Sequence, residues 1–283
     1  MQSSLNNKKL YFILAAVAAI TAAAPVRADE VEKPYHQVIS AGRQTRLSVE
    51  TVNGNINFKG VEGEYIVIDA DITVKGRKES VCRDLLERVE ISVIEKGDEI
   101  SIEPDTPKKW GYSISISFDI ALPARMGVKG GTVNGGLSAD NIRGGFELST
   151  VNGMVNASTC AGSVDCKTVN GTVNIEGLQS HKASDAVQIQ TVNGNIEVEC
   201  AAPPPMNLNI ETVNGSSELK LSEVPDARLS IEVFNGNIIL KGLPEIGDLK
   251  ARKTFDAVLG KGTGKYKIES VNGNARVEIK KQP

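Results

Sequence analysis

The chain has few aromatic residues, few histidines and no excess of basic residues. Aromatic residues make up 4% of its 283 positions, and there are two histidines. So few rings leave little for a stacking platform that would bind sugars or nucleobases. The formal net charge is −3 at pH 7. That charge disfavours nucleic acid and anionic membrane surfaces as partners.

Long apolar runs are also scarce. The longest, Leu10–Ala24, has 15 residues, which is short for a membrane span of about 20. Lys8 and Lys9 precede it and Val26-Arg27-Ala28 follows, a pattern that predicts a signal peptide over 1–28 cleaved before Asp29. Removing these three basic residues leaves 29 basic against 35 acidic residues, a net of −6. We expect an exported, periplasmic or otherwise envelope-located chain without membrane insertion after cleavage.

Catalytic motifs are missing as well. Gly-x-Ser-x-Gly does not occur, and no Ser or Cys lies in a nucleophile-elbow sequence. His36 and His181 are far apart, and the cysteine spacing is not a zinc pattern. Asp69 and Asp71 share a strand face and the glycine-rich stretch 259–265 faintly resembles a phosphate loop, but a solvated face and a flexible loop are simpler interpretations. The sequence predicts no enzyme, no metal and no cofactor.

Four cysteines leave two interpretations open. In an exported chain Cys82, Cys160, Cys166 and Cys200 allow three disulfide pairings, and Cys160 with Cys166 is the first candidate because they flank a short turn. The alternative is that they are small buried side chains, since Cys166 and Cys200 fall on inward-facing positions.

What the sequence has in quantity is one short repeat. Thr-Val-Asn-Gly, or a close variant, occurs eight times, with successive gaps of 81, 18, 18, 23, 21, 21 and 37 residues. A period near twenty residues is typical of stacked β-architectures. The repeated pairs are Asn53-Gly54, Asn134-Gly135, Asn152-Gly153, Asn170-Gly171, Asn193-Gly194, Asn214-Gly215, Asn235-Gly236 and Asn272-Gly273.

Apolar residues recur at every second position on both sides of each pair, so each repeat predicts a strand, an Asn-Gly bend and a second strand. The Thr and the Asn should share the inward face. Asn-Gly is also a strong hairpin signal, which leaves a β-meander as the alternative. We favour a β-solenoid, because stacking brings the Asn side chains about 4.8 Å apart into an amide ladder. The Gly would supply a positive φ at each corner.

The residue before each Asn has the opposite parity and should form an outer apolar stripe. Three interpretations are open: β-propensity with packing between like neighbours, a contact surface, or coverage by the N-terminal segment. The stripe comprises Val133, Val151, Val169, Val192, Val213 and Phe234.

The repeats divide the exported chain into two parts. Residues 29–122 predict an entry and capping β region with a short helix at about 79–90, and 123–283 predict the repeat solenoid. The two parts should form one continuous domain. The tail from Lys280 to Pro283 should blunt the far end of the stack.

The entry region, a strand ending near Leu122-Pro123 and the reiterated Thr-Val-Asn-Gly bends together resemble the bacterial "putative adhesin" family, domain of unknown function 4097. The resemblance covers about residues 40–280. It implies a β-helical or β-solenoid domain, an extracytoplasmic location and a role in adhesion, and it brings no catalytic residues.

These observations favour an exported, non-enzymatic, adhesin-like scaffold or interaction module of the cell envelope. Its partner would be another protein or a second copy. The alternatives are a glycan- or cation-binding envelope protein and a polysaccharide-active β-helix enzyme. For the enzyme, the best cluster of outward charges is Glu147, Asp165 and Lys167.

Overall fold

The described chain is almost entirely β-structure. It forms 23 strands and one helix, so the prediction of an all-β fold with a short helix is confirmed. The computed structural model describes residues 29–180, 184–201, 207–243, 246–250 and 253–280. Three features considered above lie outside these residues: the predicted signal peptide 1–28, His181 and the tail beyond Lys280.

The N-terminal part contains seven strands and the helix. Their bounds are β1 Asp29–Ser40, β2 Arg46–Glu50, β3 Ile56–Val61, β4 Tyr65–Gly76, α1 Glu79–Glu87, β5 Glu90–Lys96, β6 Glu99–Asp105 and β7 Ser113–Pro123. The helix ends three residues before its predicted end, and its buried face consists of Cys82, Leu85 and Leu86. The carboxylate of Asp29 accepts a hydrogen bond from the Glu79 amide at 3.1 Å, which holds the start of α1 against β1.

The C-terminal part contributes sixteen further strands, of which fourteen flank Asn-Gly pairs and two lie in the longer gap before the last pair. They are β8 Gly127–Asn134, β9 Leu137–Asp140, β10 Phe146–Asn152, β11 Val155–Ser158, β12 Val164–Asn170, β13 Val173–Leu178, β14 Ala186–Asn193, β15 Ile196–Cys200, β16 Asn207–Asn214, β17 Ser217–Leu221, β18 Ala227–Asn235, β19 Ile238–Leu243, β20 Gly247–Lys250, β21 Thr254–Leu259, β22 Gly264–Asn272 and β23 Ala275–Ile279.

The strands form two long, mainly parallel sheets. One has 12 strands in the order β1-β4-β7-β3-β9-β11-β13-β15-β17-β23-β19-β20, and the other has 11 in the order β21-β18-β22-β16-β14-β12-β10-β8-β2-β6-β5. The two strands that flank an Asn-Gly pair lie in different sheets, and we call them a rung. Equivalent residues of neighbouring rungs are in register, as for Asn152 and Asn170. At all eight described Asn-Gly pairs the flanking strands enter different sheets, so they do not pair as the hairpins of a β-meander would. The two sheets are consistent with a β-helical fold.

The core lies between the two sheets. In the rung of β10 and β11, for example, Phe146, Leu148, Val155 and Ala157 are all buried. The same alternate positions are buried in the other rungs, so one apolar cluster runs through the stack. The predicted inward parity of the apolar residues is confirmed, and their burial supplies the main driving force for stacking.

The Asn was predicted to face inward with the Thr, and this is wrong. Thr150 and Thr168 are 2% and 4% exposed, whereas Asn152 and Asn170 are exposed. The chain turns into the corner between the Thr and the Asn, so the strict alternation of the strand stops there. As a result, both the Asn and the Val before it project outward.

The rungs do not stack in sequence order. The last rung of the chain, β22-β23, lies between β16-β17 and β18-β19. Beyond it, β21 and β20 pair antiparallel with β18 and β19 and form the end of the stack. Lys280 follows a strand inside the sheet and donates its amide to the Leu221 carbonyl, and the rest of the tail that was expected to blunt the stack lies outside the described residues.

The first two Asn-Gly pairs are 81 residues apart in the sequence but are neighbours in the stack. Asn53 forms a bridge with Asn134, so the intervening residues leave the stack and return to it. β6 and β7 pair in parallel with β2 and β3 as a further rung without an Asn-Gly corner. β1, β4 and β5 then extend the two sheets by antiparallel pairing. The entry region is therefore built onto the repeat stack through both sheets.

Candidate interaction surface

One edge of the stack carries two parallel rows of repeated side chains. The first row is the eight corner Asn, and the second is the residue before each of them. In spatial order the second row is Val52, Val133, Val151, Val169, Val192, Val213, Val271 and Phe234. We call the two rows together the Val–Asn corner. Val52 is 59% and Phe234 72% exposed at the two ends. The structure places all six residues of the predicted stripe in the apolar row.

The Asn side chains form one unbroken hydrogen-bonded ladder. Each amide nitrogen donates to the amide oxygen of the neighbouring rung at 2.7–2.9 Å. All donors point the same way, towards the N-terminal end, where Asn53 donates to the Ile114 carbonyl at 3.1 Å. At the other end, beside Asn235, the Lys253 ammonium donates to the Phe234 carbonyl. Such aligned hydrogen bonds polarise and strengthen one another.

Buried hydroxyl groups tie neighbouring corners together from behind at six of the seven contacts between them, and Val233 takes this position at the seventh. Thr150 donates to the Gly135 carbonyl at 3.0 Å and Thr168 to the Gly153 carbonyl at 3.2 Å. The equivalent bond is made by Thr132, Thr191, Thr212 and Ser270. Because a buried hydroxyl needs a hydrogen-bond partner, this bond explains why the repeat keeps a hydroxyl residue two positions before the Asn.

The repeated Gly is required by the close approach of neighbouring backbones. A Cβ atom on Gly153 would lie 1.8 Å from the Gly135 carbonyl oxygen, and one on Gly171 would lie 1.7 Å from that of Gly153. The expectation of a positive φ at every corner is wrong, because Gly135, Gly153 and Gly171 do not have one. Contact between corners, rather than backbone conformation, excludes a side chain here.

These contacts hold the residues of the Val–Asn corner in fixed register from rung to rung. Amide ladder, hydroxyl bonds and backbone contact fix each corner to the next, and strand spacing places the rungs about 4.8 Å apart. Eight rungs therefore present an apolar row of roughly 34 Å. The side chains along the Val–Asn corner are carboxamides in one row and apolar groups in the other.

The outward charges considered for a polysaccharide enzyme each lie in an ion pair. Lys167 Nζ lies 2.7 Å from Asp165 Oδ2, and Lys129 Nζ lies 3.9 Å from Glu147 Oε1. Ion pairs of this kind are common between outward residues of neighbouring strands.

The Asp side chains on the N-terminal part of the other sheet are also engaged. Asp69 Oδ1 lies 2.6 Å from His36 Nδ1, and Asp119 accepts from the Asn57 amide at 2.8 Å. Among the described residues, no group of three or more His, Cys, Asp and Glu side chains is placed to hold a metal ion. The same residues include no helix long and apolar enough to cross a membrane.

The predicted disulfide between Cys160 and Cys166 does not form in the structure. All four cysteines are free and buried. Cys160 donates its thiol to the carbonyls of Ser158 and Ala139 at 3.2 and 3.5 Å, while Cys166 lies in the core row between Leu148 and Ile189. Burial raises the pKa of Cys160 to about 11 and that of Cys200 to about 12. These thiols are packing residues in their neutral form.

The glycine-rich loop 259–265 binds a carboxylate of its own chain. Asp226 Oδ1 accepts from the Lys261 amide at 2.5 Å, and Asp226 Oδ2 accepts from the Thr263 hydroxyl at 3.0 Å. The Gly264 amide donates to the Asp226 carbonyl at 2.9 Å. The loop amides that would cradle a phosphate are thus occupied, and we call this arrangement the Asp226 clasp. Sequence reasoning missed Asp226, whose one signal is its place directly before β18.

We expect the Asp226 clasp to loosen in acid. Desolvation raises the pKa of Asp226, but the bonds from Thr263 and from the amides of Lys261 and Gly262 outweigh it and hold the pKa below its ordinary value of 3.8. When folding lowers the pKa of a carboxyl group, the ionised group stabilises the folded state fully at a pH above the unfolded-state pKa. This stabilisation is lost as the pH falls through the folded-state pKa. Amide hydrogen exchange at Lys261 and Thr263 should therefore accelerate below pH 3.8 relative to the rest of the chain. Asp226→Asn should abolish this pH step, and an unchanged step would contradict the assignment.

No family model and no curated protein matches the chain. Among solved structures, a "putative cell adhesion protein" from Clostridium sporogenes shows 15% identity and a TM-score of 0.38, covering 88% of this chain and all of its own. A "putative adhesin" from Bacteroides fragilis shows 14% identity and a TM-score of 0.33, covering 88% and 97%. A "putative lipid binding protein" from Parabacteroides distasonis shows 11% and 0.32, with the same coverage. At TM-scores this low, the function has to be argued from the geometry of this chain.

Proposed function

We propose that this chain is an exported, non-enzymatic β-solenoid scaffold of the cell envelope that binds a protein partner along the Val–Asn corner. The observation that carries the proposal is the row of eight outward apolar side chains, tied together by an unbroken amide ladder. The row is exposed at Val52, Val213, Val271 and Phe234 and half-buried from Val133 to Val192. A contiguous exposed apolar row bordered by polar groups is typical of protein interaction sites. Export rests on the signal-peptide pattern of residues 1–28, which favours the periplasm.

The shape of the corner limits what can bind there. A row one side chain wide offers less surface than the roughly 800 Å² that a standard interface buries on each partner. A partner must therefore also cover the Asn ladder or the outward residues of the adjoining strands. The amides of the ladder have bonded to one another, so they add polar contact with little further ordering of side chains. Rigidity of this kind lowers the entropy cost of association.

We expect binding to depend on the middle of the apolar row. The triple change of Val151, Val169 and Val192 to Thr keeps the branched shape and strand propensity but places hydroxyl groups on the contact surface. Polar groups that lose water without a partner oppose association, so captured partner should fall by about tenfold or more. The measurement is a pull-down from envelope extract with the exported chain as bait.

A matched control uses the same three rungs on another face. Asn156, Asn174 and Glu197 are outward residues of the first sheet, and their triple change to Thr should leave capture intact. Equal capture by wild type and the Val triple variant would contradict the corner as the site, provided that both melt at similar temperatures. A partner that the control triple variant loses would place the site on the first sheet.

The glycan-binding alternative is supported by one observation. Asn57, Ser138, Asn156 and Asn174 lie on neighbouring strands of the first sheet, and Ser138 donates to Asn57 at 2.7 Å and Asn174 to Asn156 at 3.1 Å. These amide and hydroxyl groups would suit a polar chain. Glycan retention that the control triple variant loses would favour this reading over the protein scaffold.

A further inference from the structure

The C-terminal rung, β22-β23, occupies a slot between two other rungs. Its neighbours in space are β16-β17 on one side and β18-β19 on the other. The rung that precedes it in the chain therefore lies farther along the stack. β22-β23 is the last rung of the described chain and joins the stack through the connection from β21.

Both walls of the slot present the same pattern. Ile268 lies opposite Ile210 on one side and Ile231 on the other. Asn272 likewise donates to Asn214 and accepts from Asn235 in the amide ladder. The two walls therefore match each other in register, so β18-β19 can close onto β16-β17 when the last rung is absent. When the last rung leaves, pairing between β16-β17 and β18-β19 would cover the strand edges that line the slot.

The connection to the last rung is a short hinge at the surface. Residues 260–263 cross from β21 to β22 over the start of β18, which places β21 and β22 on opposite sides of that strand. Gly260 and Gly262 adopt φ values of 62° and 70°. The Asp226 clasp holds this hinge through exposed hydrogen bonds. The contacts that keep the hinge folded back are thus few and lie outside the core.

We propose that the C-terminal rung exchanges between molecules, so that the slot of one copy binds residues 264–279 of a second copy. A swapped rung remakes every native contact, because the incoming sequence is identical, and such exchange is a low-cost route to a dimer. The ladder is remade with the partner's Asn272 in place of the chain's own. When the clasp opens, the four residues 260–263 can extend over about 14 Å. The exchanged rung contributes Val271 and Asn272 to the Val–Asn corner, but the slot is held by strand pairing, so the exchange does not depend on the proposed function.

A cross-linking experiment on the full chain tests the exchange. Ser230 on β18 and Lys267 on β22 lie opposite each other in register, and both are outward positions of their strands. Ser230→Cys and Lys267→Cys variants are purified separately, mixed and oxidised. Exchange places the two new thiols side by side in a mixed dimer. We expect that dimer to accumulate, and about tenfold faster when both variants also carry Asp226→Asn, because a charge-assisted clasp is lost.

A matched pair controls for chance collisions. Asp165→Cys and Gln188→Cys lie opposite each other on β12 and β14, two internal rungs that are linked to the chain at both ends. This pair should give only background cross-linking. The proposal would be overturned if the Ser230 and Lys267 pair gave no more cross-linked mixed dimer than this control pair, both with and without Asp226→Asn. Adding the Val151, Val169 and Val192 triple change should leave the exchange rate unaltered, which separates it from binding at the corner.

Discussion

Gly135→Ala is expected to destabilise the stack by about 3 kcal/mol or more, at the upper end of the cost of overpacking. The added Cβ would lie 1.9 Å from the carbonyl oxygen of Gly54. Both groups belong to backbones that are fixed by parallel pairing, so neither can rotate away as a side chain would. The two rungs must separate locally, which also strains the hydrogen bond between the side-chain amides of Asn134 and Asn53. Urea unfolding followed by circular dichroism would measure the loss.

The next residue provides the control. A Cβ on Gly136 would be 3.6 Å from its nearest neighbours, the Asn55 side-chain oxygen and the Met154 carbonyl, which is ordinary contact. Gly136→Ala should therefore change the free energy of unfolding by less than about 0.5 kcal/mol. Similar midpoints for the two variants would show that the corners tolerate a side chain and that the close approach is not what selects Gly.

Asn170→Ala is expected to lower the free energy of unfolding by about 2 kcal/mol, since it removes two hydrogen bonds of about 1 kcal/mol each. Asn170 donates to Asn152 at 2.9 Å and accepts from Asn193 at 2.8 Å. Its loss also divides the ladder into two shorter chains, so the remaining amides polarise one another less. Thermal and urea unfolding of the purified variant would give the value.

The end of the ladder offers the comparison. Asn235 makes one ladder bond, to Asn272 at 2.9 Å, so Asn235→Ala should cost about half as much, near 1 kcal/mol. Equal losses at the two positions would mean that the residues contribute through corner conformation alone. A smaller loss for Asn170→Ala than for Asn235→Ala would contradict the ladder as a stabilising unit.

Much of the fold could be predicted from the sequence because the repeat is local. Alternating apolar residues around each Asn-Gly pair predict two strands per repeat, and identical residues at a fixed period predict that they stack. The core positions, such as Leu148 and Val155, follow from the same alternation. The apolar row before the Asn also follows, since a residue with opposite parity to the core must point outward.

Other features depend on contacts that a local pattern does not encode. The side on which Asn152 projects depends on where the chain turns into the corner, and the alternation of the strand continues past that point in the sequence. The cysteines show the same limit: alternation already placed Cys166 on the inward face, but only the structure decided between a disulfide with Cys160 and two free buried thiols. The role of Asp226 could not be predicted, because it depends on a hydrogen bond to Lys261, which lies 35 positions later in the sequence.

The sequence by itself determined the rung. Its apolar alternation, its buried hydroxyl and its Asn-Gly corner are all specified within about ten residues, and each has a physical reason that acts locally. Only the tertiary structure decided the order in which the rungs stack, and with it the slot of the C-terminal rung. Since all repeats share one register, several stacking orders bury the same residues. The choice between them is made by the connections, of which the hinge at Asp226 is one.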